Sequence, residues 1–124
     1  MSKQPGLRVF VVDDEHVIAE TLATILKQCG YAASSFTNPL DALYAAQTDA
    51  PDLLISDVMM PQLSGVELAI RLKASVPSCN VLLFSGQAQT ADLLESARQQ
   101  GHDFKLLTKP VQPSDLLQEI SKGH

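Results

Sequence analysis

Five side chains suited to a metal and phosphate site stand at or just beyond the ends of short apolar runs in this sequence. These side chains and the runs that precede them are Asp13 and Asp14 after Val9–Val12, Asp57 after Leu53–Ile55, Ser85 after Val81–Phe84, and Lys109 after Leu106–Leu107. Mg²⁺ prefers carboxylate oxygens as ligands, and a lysine ammonium is a suitable point charge beside a phosphoryl group. A serine hydroxyl can donate to a phosphate oxygen. Together these groups would supply the positioning and charge neutralisation that phosphoryl transfer requires.

Asp57 is the strongest candidate for a nucleophile among these groups. Taken alone, Asp13 and Asp14 could be negative charges at a helix N-terminus, and Asp57 could cap a turn before Pro61. Neither interpretation explains Lys109 at the end of a strand. A metal ligand at a helix start is poorly placed for in-line attack, whereas Asp57 stands alone after a central strand. Carboxylate nucleophiles of this kind form aspartyl phosphates.

The apolar runs themselves indicate how these side chains could meet. Short runs of this kind, separated by stretches of helical period, are typical of buried parallel strands. The carboxyl ends of parallel strands share one edge of an open sheet, and ligands bind there. The pattern gives five βα units with connections short enough to require right-handed crossovers. It predicts a doubly wound α/β fold and leaves the strand order open.

Capping residues predict where several helices begin and end. Asn38 with Pro39, Ser64, and Pro113 each favour a helix start, and Gly30 favours the end of the first helix. Residues 31–36 form a weaker, partly alternating strand between the first two helices. The remaining strands are predicted over residues 9–12, 52–56, 80–85 and 104–108.

Composition limits the possible partners and location of the protein. The 124 residues fit one domain, and their formal net charge is −5 with no cluster of Lys or Arg. DNA affinity depends largely on cationic side chains, so this domain is not expected to bind nucleic acid. No apolar stretch approaches the roughly 20 residues that span a bilayer, and residues 1–6 lack the long apolar segment of a signal peptide. A cytoplasmic protein without a membrane partner is expected.

Isolated residues outside these runs are interpreted as structural. Cys29 and Cys79 have no metal-ligand spacing, and both are expected to be small buried hydrophobic residues. His16 lies beside the acid pair and invites a phosphohistidine interpretation. An exposed histidine without a catalytic role is preferred.

The sequence resembles the receiver domain of two-component response regulators over essentially its whole length. Four segments carry the resemblance: FVVDDE at residues 10–15, ISDVMMPQLSG at residues 55–65, LFSG at residues 83–86, and LTKP at residues 107–110. The DxxMPxxxG pattern after an apolar strand is specific, and its spacing from the other three segments makes an accidental match improbable. The resemblance implies a flavodoxin-like five-stranded parallel sheet of order 2-1-3-4-5 with five helices.

The resemblance also implies a role for each candidate site residue. Asp57 would accept a phosphoryl group from a phosphohistidine and ligate Mg²⁺ together with Asp14, the backbone carbonyl of Met59, and Asp13 through a water. Lys109 would pair with the phosphoryl group and Asp57, and a cis Lys109–Pro110 bond would aim it. Ser85 would be the switch hydroxyl.

Partners follow from the same resemblance. A sensor histidine kinase or a histidine phosphotransfer protein would donate the phosphoryl group, docking near the first helix and the Pro110–Val111 loop. An unknown downstream protein would recognise the phosphorylated surface. Residues 1–124 are expected to form one receiver domain with no output domain after Lys122, and the protein is not expected to be a turnover enzyme.

One position departs from the usual pattern of the family, and two others bear on dephosphorylation. An aromatic residue usually stands three positions before the lysine, where this chain has Leu106, and the nearby aromatic is Phe104. Either a small insertion precedes the last strand or the switch lacks its aromatic half, and the second explanation is preferred. Met59 and Gln87 occupy positions that tune dephosphorylation in the family, and neither supplies a carboxylate.

Three other functions remain as alternatives. An enzyme with an aspartyl-phosphate intermediate, such as a small-molecule phosphatase, usually has a second acid near the nucleophile, where this chain has Met59. A flavodoxin-like cofactor binder would have a Ser/Thr/Gly-rich phosphate loop where this chain has Asp13, Asp14 and Glu15. A degenerate receiver would act only as an interaction module.

Overall fold

The computed structural model describes residues 7–86, 90–102, 104–108 and 112–123, in which five strands alternate with five helices. The elements are β1 Arg8–Val12, α1 His16–Gln28, β2 Ala32–Phe36, α2 Pro39–Ala46, β3 Leu53–Asp57, α3 Gly65–Ser75, β4 Asn80–Ser85, α4 Thr90–Gln99, β5 Lys105–Thr108 and α5 Pro113–Gly123. Each predicted strand is present, with boundaries shifted by at most one residue, and helices begin at the predicted starts after Asn38, after Ser64 and at Pro113.

All five strands are parallel and lie in the order β2-β1-β3-β4-β5. The predicted α/β class and the strand order implied by the resemblance are therefore confirmed. In register, Val12 is opposite Ser56, and Asp57 is opposite Phe84. The chain segments that follow β1, β3 and β4 consequently leave the sheet along one edge, where ligands bind in this class of fold.

Apolar side chains cover both faces of the sheet. On one face, Val9 and Val11 pack in a cluster with residues of α1 and α5, including Leu26 and Leu116. On the other face, Phe10 and Val12 belong to a cluster that includes residues of α2 and α3. Adjacent residues of β1 therefore serve opposite layers of the core. This two-sided burial explains why the strands are continuous apolar runs.

Side-chain caps fix the starts of two helices as the sequence predicted. The Asn38 side chain accepts a hydrogen bond from the Leu40 backbone N–H at 2.9 Å, and Pro39 follows it in the first turn of α2. The Ser64 hydroxyl accepts from the Glu67 N–H at 3.1 Å at the start of α3. Each cap satisfies a backbone donor that has no partner within its helix.

The prediction that both cysteines are buried was wrong for Cys29. Cys79 is buried, whereas Cys29 is exposed. The buried stripe of α1 runs through Leu22 and Leu26 and ends there, because Cys29 is the C-cap residue and Gly30 reverses the chain at φ 97°. No helix in the described ranges is long and apolar enough to cross a membrane.

Candidate functional site

Three carboxylates meet at the edge of the sheet where β1 and β3 end. One oxygen from each of Asp13, Asp14 and Asp57 lies within 4.8 Å of the other two. Asp13 is 0% exposed and Asp57 is 6% exposed, whereas Asp14 faces solvent. Negative charges held this close and partly out of water repel one another, so the cluster is suited to a cation.

The Asp13 side chain holds the turn between β1 and α1. Its Oδ1 accepts a hydrogen bond from the Glu15 N–H at 2.9 Å, and its own N–H donates to the carbonyl of Phe36 in β2 at 3.1 Å. A side-chain oxygen that accepts from the N–H two residues ahead is the usual Asx turn. The α1 N-cap residue, Glu15, makes no capping hydrogen bond through its own side chain. The side chain of Asp13 therefore stabilises the turn that carries Asp14.

Three hydrogen bonds outside the regular strand ladder help to hold the backbone around Asp57. The Ser56 hydroxyl donates to the Asp57 carbonyl at 2.9 Å. The Val58 N–H donates to the carbonyl of Phe84 in β4 at 3.0 Å, and the Gly65 N–H donates to the Val58 carbonyl at 2.8 Å. These contacts join the end of β3 to the neighbouring strand on one side and to the start of α3 on the other.

Gly65 permits the close approach of α3 to β3. A Cβ atom at this position would lie 2.1 Å from the Asp57 carbonyl oxygen and 2.9 Å from the Ser56 Oγ. The first of these contacts is with backbone, so it could be relieved only by moving the strand or the helix. The glycine therefore belongs to the construction of the site, although it carries no functional group.

A strained turn connects Asp57 to α3. Gln62 has φ 64°, and the Leu63 N–H donates to the Pro61 carbonyl at 2.6 Å, which closes a three-residue turn around Gln62. A γ-turn with positive φ is rare and strained for a residue with a side chain. Strain of this kind persists where the surrounding structure determines the conformation, and it is common near functional sites.

The other predicted site residues fall at the same edge or outside the described residues. Ser85 is 5% exposed and ends β4, one position beyond Phe84. Met59 follows Asp57 by two residues and is 42% exposed. Lys109, with the Pro110–Val111 loop, and Gln87 lie outside the described residues. Their roles, and the cis Lys109–Pro110 bond, stay predictions.

The position that is usually aromatic in the family is part of β5. Residues 105–108 pair consecutively with residues 82–85, which places Leu106 opposite Leu83. Leu106 is 36% exposed. The ring of Phe104 lies before the strand, where it packs against core residues of the α3 side and stacks on His102 with centroids 5.5 Å apart. Phe104 is therefore a partly buried residue that packs against the core, and it does not occupy the strand position of Leu106.

The donor set fits Mg²⁺ on chemical grounds. The three side chains offer hard oxygen ligands, and Mg²⁺ is typically held by one or two carboxylates with its other positions taken by waters or phosphate oxygens. Asp14 is exposed while Asp13 and Asp57 are buried, so a hydrated ion could reach the cluster from the solvent side.

The sequence interpretation missed two contributors to this site. Both Ser56 and Gly65 lie within the motif at residues 55–65, which by itself assigns neither of them a role. The signal for Ser56 was available, because a hydroxyl inside a fully buried strand must find a hydrogen-bond partner. The close approach at Gly65 could not be read from the sequence, since it depends on where α3 crosses β3.

Comparisons with known proteins agree on one family. Residues 9–121 match the family described as the response regulator receiver domain. Over 112 residues the chain is 33% identical to the transcriptional regulatory protein CreB of Escherichia coli, in a match that covers 90% of this chain and 48% of CreB. Over 115 residues it is 30% identical to the response regulator receiver protein CpdR of Brucella abortus, in a match that covers 93% of this chain and 94% of CpdR. The chain thus spans about half of one relative and nearly all of the other.

The fold comparison gives the same result. A response regulator receiver domain protein from Clostridium thermocellum superposes with a TM-score of 0.81 at 26% sequence identity. The superposition covers 93% of this chain and 91% of that one.

Proposed function

The chain belongs to the response regulator receiver domain family, and on that premise we propose that Asp57 accepts a phosphoryl group in a two-component phosphorelay. The observation that carries the proposal is the cluster of three carboxylate oxygens within 4.8 Å, with Asp57 at the end of a central strand. The family membership establishes a receiver domain in signal transduction. The acceptor residue and its chemistry are our proposal.

In the proposed reaction, a carboxylate oxygen of Asp57 attacks the phosphorus of a phosphohistidine. A P–O bond forms, the P–N bond breaks, and the imidazole nitrogen of the donor takes the electron pair. Asp14, Asp57 and the Met59 carbonyl are proposed to hold Mg²⁺, with Asp13 acting through a water. The bound ion would neutralise charge on the transferring phosphoryl oxygens.

Ser85 and Lys109 are proposed to bind the transferred group. The buried position of Ser85 at the end of β4 supports a hydroxyl that donates to a phosphoryl oxygen. The proposal for Lys109 rests on the family resemblance alone. Phosphorylation adds about −1.5 to −2 charges at neutral pH, so drawing Ser85 and Lys109 onto this group would bias the helices and strands that follow them.

We propose that residues 1–124 act as one receiver domain. Its output would be a change in its own partner-binding surface on phosphorylation. The domain would assist its own phosphorylation and dephosphorylation without turning over a separate substrate. A histidine kinase or a histidine phosphotransfer protein is the proposed donor, docking near α1 and the Pro110–Val111 loop, and an unknown downstream protein is the proposed reader. We place this exchange in the cytoplasm, as the sequence predicts.

The proposal is tested by exposing the protein to acetyl phosphate and Mg²⁺ and weighing the intact chain by mass spectrometry. One phosphoryl adduct is expected. It should not form when the metal is chelated beforehand, nor in Asp57→Asn, which lacks the nucleophile. An unchanged fold in Asp57→Asn, checked by circular dichroism, is the control.

Two outcomes would contradict the proposal. An adduct that persists in Asp57→Asn would move the acceptor to another residue. No adduct, together with no binding of beryllofluoride, would favour a degenerate receiver that acts only by binding partners.

A further inference from the structure

Ser56 carries a buried hydroxyl to which the proposed phosphoryl transfer assigns no role. It is 0% exposed and lies in β3 between three apolar residues and Asp57. A hydroxyl removed from water costs free energy unless it is hydrogen-bonded, and within the described residues its hydroxyl donates to the Asp57 carbonyl at 2.9 Å. An apolar side chain would fill this buried position of β3 equally well, so the presence of a hydroxyl calls for a separate explanation.

The Asp57–Val58 peptide unit is held at both ends. Its carbonyl oxygen accepts from the Ser56 hydroxyl, and its N–H donates to the Phe84 carbonyl at 3.0 Å. A peptide unit is planar, so fixing both ends fixes its rotation and with it the ψ angle of Asp57. The chain direction between Asp57 and Met59 depends on that angle.

The same carbonyl is bounded by α3. The position that a Cβ of Gly65 would occupy is 2.1 Å from the Asp57 oxygen and 2.9 Å from the Ser56 Oγ. The hydroxyl and the carbonyl therefore share a space that is limited by the first residue of the helix. Without the hydroxyl, the carbonyl would lose this hydrogen bond and the peptide could rotate more freely.

We infer that Ser56 is a positioning residue for the metal site. Its hydroxyl fixes the peptide that joins Asp57 to the segment bearing the Met59 carbonyl, and so presets the relation between two proposed Mg²⁺ ligands. The inference rests on the proposed function of Asp57 and deepens it. It assigns to the hydroxyl an effect on metal affinity in addition to its contribution to stability.

The test compares Ser56→Ala and Ser56→Cys with the unmodified protein. Cysteine nearly preserves the volume of serine, but its thiol is a weak donor. We expect both variants to bind Mg²⁺ about tenfold more weakly, because loss of an outer-shell partner typically weakens metal binding by at least that factor. In metal-free protein, the carbonyl ¹³C resonance of Asp57 is expected to shift in both variants. Mg²⁺ affinity is measured by NMR titration of the unphosphorylated protein.

Ser75→Ala is the matched control. The Ser75 hydroxyl also donates to a backbone carbonyl, that of Leu72 at 3.2 Å, but at the opposite end of α3. This variant removes the same kind of hydrogen bond without touching Asp57. It is expected to leave both the Mg²⁺ affinity and the Asp57 carbonyl resonance unchanged.

The outcomes separate this inference from the function on which it rests. Unchanged Mg²⁺ affinity in Ser56→Cys would overturn the proposed role of Ser56. If Ser56→Ala does not fold, the test rests on Ser56→Cys alone. An equal loss of Mg²⁺ affinity in Ser75→Ala would show that the effect comes from general destabilisation, and this result would also overturn the inference. Absence of a phosphoryl adduct on the unmodified protein would instead contradict the proposed function.

Discussion

Cys29 and Cys79 differ in solvent exposure, and their thiols are therefore expected to differ in reactivity. The pKa of the Cys79 thiol is raised from an ordinary value of 9.0 to about 11, chiefly by burial. Lys73 opposes this rise, and the nearby Asp52 carboxylate contributes to it. The Cys79 thiol therefore stays protonated near neutral pH. Cys29 is exposed at the end of α1.

We expect one thiol of the native protein to react quickly with an alkylating reagent at pH 8, and two after unfolding. The raised pKa lowers the thiolate fraction of Cys79 about 100-fold, and its burial blocks access as well. Labelling is counted by intact mass over time. In Cys29→Ser the native protein should label only slowly, and fast labelling of that variant would contradict this account of Cys79.

At the scale of elements, Gly65 and Gly101 are glycines for opposite physical reasons. Gly65 lies where a Cβ would meet the backbone of β3, whereas a Cβ at Gly101 would meet nothing within 4 Å. Gly101 instead has φ 93°, a conformation that residues with a side chain rarely adopt. One glycine permits packing of α3 on β3, and the other permits the turn after α4.

Substitution by alanine is expected to separate these two roles. Gly65→Ala should lower the free energy of unfolding by about 3 kcal/mol or more, since strand and helix must move apart. Gly101→Ala should cost only about 1 kcal/mol, the strain of a positive φ. Urea unfolding measures both, and Mg²⁺ titration should show weakened binding for Gly65→Ala alone. Equal losses in the two variants would contradict the close approach described for Gly65.

The elements themselves were largely readable from the sequence, whereas the contacts between them were not. Apolar runs and capping residues such as Asn38 and Ser64 predicted where strands and helices begin, because those signals are local. The strand order came from the family resemblance, since periodicity carries no information on which strands are neighbours. The positive φ of Gln62 gave no signal, because glycine or asparagine is the usual residue in such a conformation.

At the scale of the whole molecule, the candidate site could be predicted because the topology gathers distant residues at one edge. Asp13, Asp14 and Asp57 each follow an apolar run, and a parallel sheet brings such positions together. Ser56 and Gly65 act through packing and backbone geometry. The role of Gly65 depends on where α3 crosses β3 and is visible only in the structure, whereas Ser56 could be noticed as a hydroxyl within a buried strand.

Mg²⁺ is expected to stabilise the entire domain through this cluster. A ligand that binds only the folded state at ten times its Kd adds about 1.4 kcal/mol, which corresponds to a rise in Tm of roughly 5 °C for a domain of this size. Thermal unfolding with increasing Mg²⁺ measures the effect. Asp14→Asn should abolish most of the rise, while Asp41→Asn, at an exposed position of α2, should retain it. A similar rise in Asp14→Asn would place the ion elsewhere.

The proposed Mg²⁺ site draws its ligands from two separate parts of the chain. Asp13 and Asp14 follow β1, Asp57 ends β3, and between them lies an exposed segment at residues 47–50 that joins α2 to β3. A chain cut in this segment would yield two fragments, neither of which holds all three carboxylates. Because β1 and β3 are adjacent in the sheet, reassembly of the fragments would restore the cluster, so metal affinity becomes a reporter of fragment complementation.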